Sequence, residues 1–353
     1  MAGVDRRWKA YLAELRTNAP AASRVEVVVG VATAVGRHWG WTPPPALTPA
    51  VAGRKVIATV AAVAPPEGLA DPGLPGRVLE AWADPVTRQA TGAHFTPPEV
   101  AARLVGVVGE QVRWASGPTI CDPACGGAAF LLAAADALHD AGLSCEVIVR
   151  DHLWGVDVDE AAVATTRLSL SLWAAVHGGE AVVADDAHVV VGDGLADRRA
   201  AGPGGAFDVV VGNPPFLGQL ASATARSSEG TEALKRRFGG AVLPFTDPAW
   251  LFLLAALDLV ADGGLVALLQ PASLLGARDA RAVRGAVLER AELVGLWVAA
   301  ERVFEANVRV CVPLLRRRIP APSPRPTAAG LTAPKATPTQ TPSATVRRWR
   351  GRS

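Results

Sequence analysis

The sequence predicts an α/β fold built on a doubly wound parallel sheet, preceded by a mostly helical N-terminal region. Two observations carry the sheet. From about residue 88, short apolar runs alternate with helical segments: TICDPAC, LWGVDVD, HVVVGDGL, FDVVVGNPPF, GLVALLQPASLL, AELVGLWVA and RVCVPLL. The unusual residues fall at the ends of these runs, where ligands sit in such sheets. A third observation concerns size. The chain has 353 residues, 50% of them hydrophobic, ample for one α/β domain and a smaller partner region.

Residues 1–84 contain helical stretches and few strand signals. The run VEVVVGVATAV fits a buried helix or a strand, and prolines at 43–45 and within 65–75 punctuate the region. Residues 85–318 carry the alternating pattern. Within them Gly218–Gly240 has little apolar periodicity and reads as a long loop. Residues 319–353 are rich in Pro, Thr, Ala and Arg with almost no core formers, so a disordered tail is expected.

Bulk properties narrow the function. No apolar run reaches membrane-span length, and the longest candidate, Ala249 to Val260, is broken by Asp258. The first residues mix Asp5, Arg6, Arg7, Lys9 and Glu14 and show no signal-peptide pattern. Four cysteines form no C-x-x-C pair and six histidines are scattered. A reduced cytoplasmic protein without a structural metal is expected. The net charge of +2 hides an asymmetry: nine Lys/Arg and no acid lie between Arg316 and Ser353, which leaves −7 on the rest. A basic tail attracts a polyanion; the acidic body does not advertise one.

Five stretches hold the chemistry. In TICDPACGGAAF the first strand ends at Asp122, turns through Pro123, Ala124, Cys125, Gly126 and Gly127, and opens a helix near Ala128. Small residues there admit a ligand to the backbone, and a helix N-terminus offers free N–H groups. An ordinary strand-to-helix turn would look similar, but Asp122 favours a nucleotide-like ligand. In LWGVDVDE an acid at the second strand's end can bind ribose hydroxyls. Asp157 is the better candidate, because Asp159 is placed to cap the following helix. In VVVGDGL, Asp193 can accept from an adenine amino group, although Asp-Gly is also a common turn. In HFTPPEV, Thr96-Pro97-Pro98-Glu99 reads as a capping box with proline at the first helical position. A helix N-terminus there can hold a carboxylate such as that of an amino-acid moiety, and Phe95 can pack on a flat ring.

The fifth stretch is FDVVVGNPPF. A valine-rich strand leaves the sheet at Asn213, because proline has no N–H for the ladder. Pro214 and Pro215 stiffen the loop, and Phe216 follows. The Asn213 side-chain carbonyl and the Pro214 backbone carbonyl can accept both hydrogens of one –NH₂ group. That localises the lone pair of an aromatic amine and stabilises the charge that grows as nitrogen attacks a methyl carbon. Phe216 offers a face on which a planar base stacks. A turn at a strand end is the bland alternative; the preceding strand and following phenylalanine argue for the functional one.

In this order, HFTPPEV, DPACGGAAF, GVDVD, GDGL and GNPPF resemble the gamma-class DNA N6-adenine methyltransferases, the modification enzymes of type I and type II restriction–modification systems. The resemblance covers about Arg88 to Arg316. It implies a class I S-adenosylmethionine-dependent methyltransferase fold. It implies a cofactor pocket lined by Thr96, Asp122 to Gly126, Asp157 and Asp193, and a flipped adenine in double-stranded DNA held by Asn213 to Phe216. Two departures stand out. The family loop often reads DPACGSGAF, so here Ala128 stands where glycine would permit positive φ. The family also recognises DNA through a large domain or subunit beyond the catalytic core. A separate specificity subunit or a target-recognition domain outside this sequence is therefore expected. The alternatives are a protein glutamine N-methyltransferase, which uses an Asn-Pro-Pro-aromatic loop on an amide, and a non-catalytic DNA- or partner-binding subunit.

Overall fold

The structure, a computed structural model, describes residues 2–48, 53–68, 70–82, 96–178, 182, 188–195, 206–216, 228–243, 246–299, 309–320 and 345–349. Its centre is one mixed sheet with strands β1 (Ile120–Asp122), β2 (Leu153–Asp157), β3 (Val189–Val191), β4 (Phe207–Gly212), β5 (Val260–Leu268), β6 (Gln270–Pro271), β7 (Ala291–Ala299), β8 (Val310–Arg317) and β9 (Thr345–Trp349). The order is β3-β2-β1-β4-β5-β8-β7-β9, with β6 beside β8. Neighbours from β3 to β5 pair in parallel. The order reverses at β1, between β2 and β4, which opens a crevice beyond the strand ends.

The expected doubly wound sheet is parallel from β3 to β5 and antiparallel around β8. β8 runs antiparallel to both β5 and β7. The link 300–309 is shorter than the dozen or so residues that a parallel return requires.

Helices cover both faces, which explains the near-continuous apolar runs of the strands. Helices α5 (Pro98–Gly109), α6 (Ala129–Asp140), α7 (Cys145–Asp151) and α8 (Glu160–Val176) pack on one face with Ile120, Val209 and Val211. Helices α9 (Ser228–Phe238), α10 (Pro248–Leu259) and α12 (Arg281–Arg290) pack on the other with Cys121, Trp154 and Val210. The short α11 (Ser273–Gly276) joins β6 to α12. Residues 228–238 are thus helical, although the weak periodicity of Gly218–Gly240 reads as loop; Leu234 buries against the second face and organises that turn.

The N-terminal region is α1 (Ala2–Asn18), α2 (Arg24–Gly36), α3 (Arg54–Ala61) and α4 (Leu74–Trp82). The ambiguous run VEVVVGVATAV is helix α2, started by a capping box in which Ser23 and Glu26 bond reciprocally. Five of its six valines, Val27, Val28, Val29, Val31 and Val35, are buried, so they show neither period cleanly. These helices share a core with the outer side of α8, through Ala161, Ala162, Leu168 and Leu172. Trp41 Nε1 donates to Ser171 Oγ at 3.2 Å inside that interface. α8 is therefore buried on two sides, by the sheet and by the N-terminal helices.

The tail expectation also needs correction. Thr345–Trp349 pair in parallel with Gly295–Ala299 of β7, extending the sheet by an edge strand. Residues 321–344 and 350–353 lie outside the described residues.

Candidate active site

Four strand ends converge on the crevice. β1 delivers Asp122, which is 1% exposed and accepts from Ala124 N–H at 3.0 Å through Oδ1. Burial, with a smaller contribution from the Asp157 charge, pushes its carboxyl up to about 8, against the bond from Ala124. Close approach of β4 encloses it. A Cβ on Gly212 would overlap Asp122 Oδ1 and lie 3.0 Å from its Cγ, so only glycine fits there. The NPPF segment begins directly after that contact.

The turn Pro123 to Gly126 is tied to β2. Cys125 N–H donates to Val156 O and Gly126 N–H donates to Asp157 Oδ2, both at 2.9 Å. Thr166 Oγ1 of α8 donates to Gly126 O at 3.0 Å. Asp157 takes a second backbone bond, from Asp159 N–H to Oδ1 at 2.9 Å. Burial raises its carboxyl pKa, opposed by these two bonds. A carboxylate has about four acceptor positions, so two further donors such as ribose hydroxyls fit on Asp157. Asp159 caps α8 by accepting from Ala161 N–H at 3.0 Å.

Ala128 takes the left-handed conformation, φ 74° and ψ 10°, as the residue before α6. The alanine noted in the sequence therefore does occupy a position that favours glycine, at a cost of about 1–2 kcal/mol. Its methyl group is fully buried in the sheet-face core, which offsets part of that strain.

β3 brings Asp193 to the same crevice. A Cβ on Gly194 would overlap the carbonyl oxygen of Pro123, so the Asp193-Gly194 turn lies directly on the first loop. Asp193 is exposed, and its Oδ1 accepts from Leu195 N–H at 2.8 Å.

Thr96 does not cap. α5 starts at Pro98 with Pro97 at the cap position and no side-chain cap bond, which displaces the expected Thr96–Glu99 box. Released from that role, Thr96 is 6% exposed and its Oγ1 accepts from Asn213 Nδ2 at 3.1 Å. This bond joins segments 117 residues apart and sets the amide plane of Asn213. With Nδ2 directed at Thr96, the carbonyl oxygen is the acceptor that the amide presents on its opposite side.

Phe216 is 2% exposed and packs in the sheet-face core with Val211 and Ala249. The expected open stacking face is covered in this state. Phe95 lies outside the described residues. Pattern reading passed over two valines. Val158 is 69% exposed and Val191 is 53% exposed, at the ends of β2 and β3. Large apolar side chains left bare beside Asp157 suit the face of a flat ring. Their signal was position alone, since valine in a valine-rich strand carries none.

Residues 77–324 match the family model described as N-6 DNA methylase. Among solved structures, the chain is similar to a Listeria monocytogenes protein provisionally named a class I S-adenosylmethionine-dependent methyltransferase. The identity is 16%, with 92% of this chain and 91% of that chain covered and a TM-score of 0.56. A type I restriction-modification methyltransferase subunit from Streptococcus thermophilus is 19% identical over 76% of this chain and 54% of its own, with a TM-score of 0.50. A chain of the DrdV–DNA complex is 19% identical over 75% of this chain, with a TM-score of 0.57, and this chain spans 31% of it. At such identities the shared property is the fold, that of class I S-adenosylmethionine-dependent methyltransferases.

Proposed function

We propose that this chain, which belongs to the N-6 DNA methylase family, is the modification component of a restriction–modification or related defence system. Family membership makes it an adenine-specific DNA methyltransferase with S-adenosylmethionine as donor. On this reading the Asn-Pro-Pro-Phe loop works on an aromatic amine rather than on the glutamine amide of the alternative considered above.

The observation that carries the residue roles is the Thr96–Asn213 hydrogen bond, set directly after the contact of Gly212 with Asp122. It fixes the amide of the NPPF loop beside the turn that would hold the cofactor. Asp157 would bind the ribose hydroxyls of S-adenosylmethionine, Val158 and Val191 would flank its flat base, and the Pro123–Gly126 backbone would lie along it. Asp193 sits at the edge where the amino group of that base would be read. When bound, the cofactor supplies an electrophilic methyl group.

The chain's own residues then act on the target. Asn213 Oδ1 and the Pro214 carbonyl accept the two amino hydrogens of a flipped adenine, which localises the nitrogen lone pair and spreads the positive charge of the transition state. Pro214 and Pro215 hold the carbonyls in place before the target arrives, so little reorganisation is needed. Phe216 stacks on the base once its ring is uncovered. Extrusion of a base takes a few kcal/mol, and uncovering Phe216 is a second conformational step at the same site.

DNA is the target polymer, and sequence selection comes from a specificity subunit or recognition domain outside this sequence. Among the described residues no helix is long and apolar enough to cross a membrane; a cytoplasmic setting fits the DNA substrate. The test is transfer of labelled methyl from S-adenosylmethionine to mixed duplex DNA, with N6-methyladenine as the product measured. Label recovered on protein glutamine, or none on DNA when a specificity subunit is supplied, would overturn the assignment.

A further inference from the structure

The N-terminal helices reach the cofactor side of the crevice at two separate points, one on the turn after β1 and one beside Asp157. The first is a backbone-to-backbone contact. On α4, a Cβ added to Gly76 would overlap the carbonyl oxygen of Gly127 and lie 2.9 Å from its Cα. Conversely, a Cβ on Gly127 would lie 2.6 Å from the Cα of Gly76. Gly127 is the residue between Gly126, whose N–H binds Asp157, and the strained Ala128. α4 is held at this approach by packing on α8 and by Arg77, whose guanidinium bonds both oxygens of Asp71 at 3.0 and 2.6 Å.

The second point is electrostatic. Arg24, at the start of α2, pairs with Asp159 Oδ2 at 2.6 Å. Asp159 in turn donates its backbone N–H to Asp157 Oδ1 and caps α8 with its own Oδ1. Arg24 therefore fixes the residue that orients one oxygen of Asp157, while Gly76 bounds the turn that orients the other. The arginine also neutralises the charge of Asp159 beside a buried carboxylate, favouring the ionised Asp157 that accepts from hydroxyls.

We propose that the N-terminal helices are a brace for the S-adenosylmethionine site, with Gly76 and Arg24 as positioning residues for the cofactor. This rests on the cofactor assignment above and adds a role for a region that contributes no residue to the chemistry. A side chain at position 76 forces the Gly127 backbone to move, and a misplacement of about 1 Å at a binding site is enough for large losses.

The test is calorimetric titration of S-adenosylmethionine into the full chain, with melting followed on the same samples. Gly76→Ala is expected to weaken binding about tenfold or more while the protein still unfolds cooperatively. Arg24→Ala is expected to weaken it about fivefold, and Arg24→Lys to restore most of the loss. Gly285→Ala on α12, where an added Cβ meets nothing within 4 Å, is the control and should bind as wild type. Should Gly76→Ala not fold, the Arg24 pair decides the matter. Wild-type affinity in Gly76→Ala and Arg24→Ala overturns the brace and leaves the cofactor assignment standing. Failure of the wild-type chain itself to bind overturns both.

Discussion

Asp122→Asn separates the demands of folding from those of the site. Asp122 is buried beneath Gly212, and its carboxyl stands at about 8 against an ordinary value of 3.8. Between those two values the folded chain keeps a proton that the unfolded chain releases. Stability therefore falls as pH rises through this window, by about 1.4 kcal/mol per pH unit, and levels off above it. At pH 7 the accumulated deficit is about 4 kcal/mol, a large part of a typical folding free energy. Asparagine has the same shape and keeps an oxygen for the Ala124 N–H, but never ionises.

The expected outcome follows from that difference. Urea unfolding without cofactor should show Asp122→Asn more stable than wild type by up to about 4 kcal/mol near pH 7, with the gap closing toward pH 4. Other titrating groups are common to both chains and cancel in the difference. Asp157, whose charge acts on Asp122, and the buried Cys121 and Cys125 thiols, which sense the Asp122 charge, do so incompletely, and burial holds both thiols well above this window. Two parallel stability curves across this range would refute the assigned ionisation. The same variant should bind S-adenosylmethionine more weakly, because a neutral amide cannot become the anion that a cationic ligand favours. A gain in stability with a loss of affinity is the pattern of a group retained for function.

Asn213→Ala should abolish methyl transfer and leave cofactor affinity nearly unchanged, by single-turnover assay and calorimetry; wild-type turnover would contradict its role as acceptor. Asp157→Ala should weaken cofactor binding by about 1.5–3 kcal/mol, the worth of a hydrogen bond to a charged group, and unchanged calorimetry would count against it. Ala128→Gly should change stability by less than about 1 kcal/mol, since relief of left-handed strain offsets the lost methyl and added chain entropy. Ala128→Val should instead destabilise by about 2 kcal/mol or more, because a β-branched side chain suits that conformation least; equal effects of the two would argue against the observed φ. Removal of residues 345–353 should raise amide exchange at Gly295–Ala299 and flatten the salt dependence of non-specific DNA binding, through loss of the β7 partner and four arginines.

The sheet was legible because its strands are buried on both faces and read as unbroken valine-rich runs between turn residues. The reversed direction of β8 was not read, although the short gap between AELVGLWVA and RVCVPLL contained it. Helix α2 was ambiguous for the opposite reason. It is buried against α3, α4 and α8, so its valines lack the one-sided period that marks a surface helix. Thr96 shows how a motif match can conceal a residue's actual use. Thr-Pro-Pro-Glu satisfies the pattern of a capping box, but helix α5 begins one residue later and frees the hydroxyl for Asn213. Pairing across 117 residues leaves no local trace. The contacts of Gly76 with Gly127 and of Arg24 with Asp159 are equally non-local, and the N-terminal region gave no hint of its place from sequence.

The two halves of the site depend on different parts of the fold. On the target side, Asn213 is set by Thr96 and by the prolines that follow it, all within the crevice. On the cofactor side, the turn from Asp122 to Ala128 combines a buried carboxyl with a left-handed alanine, both unfavourable on their own. Such a turn persists only where its surroundings over-determine it. Those surroundings are Gly212 from β4, Thr166 from α8, and α4 from the N-terminal region. Losses from the N-terminal helices should therefore fall on cofactor affinity first, while the acceptors on the NPPF loop keep their geometry. A variant in that region should raise KM for S-adenosylmethionine and spare kcat at saturation. Asn213→Ala should do the reverse, because in the proposed mechanism its carbonyl interacts with charge that develops only during transfer.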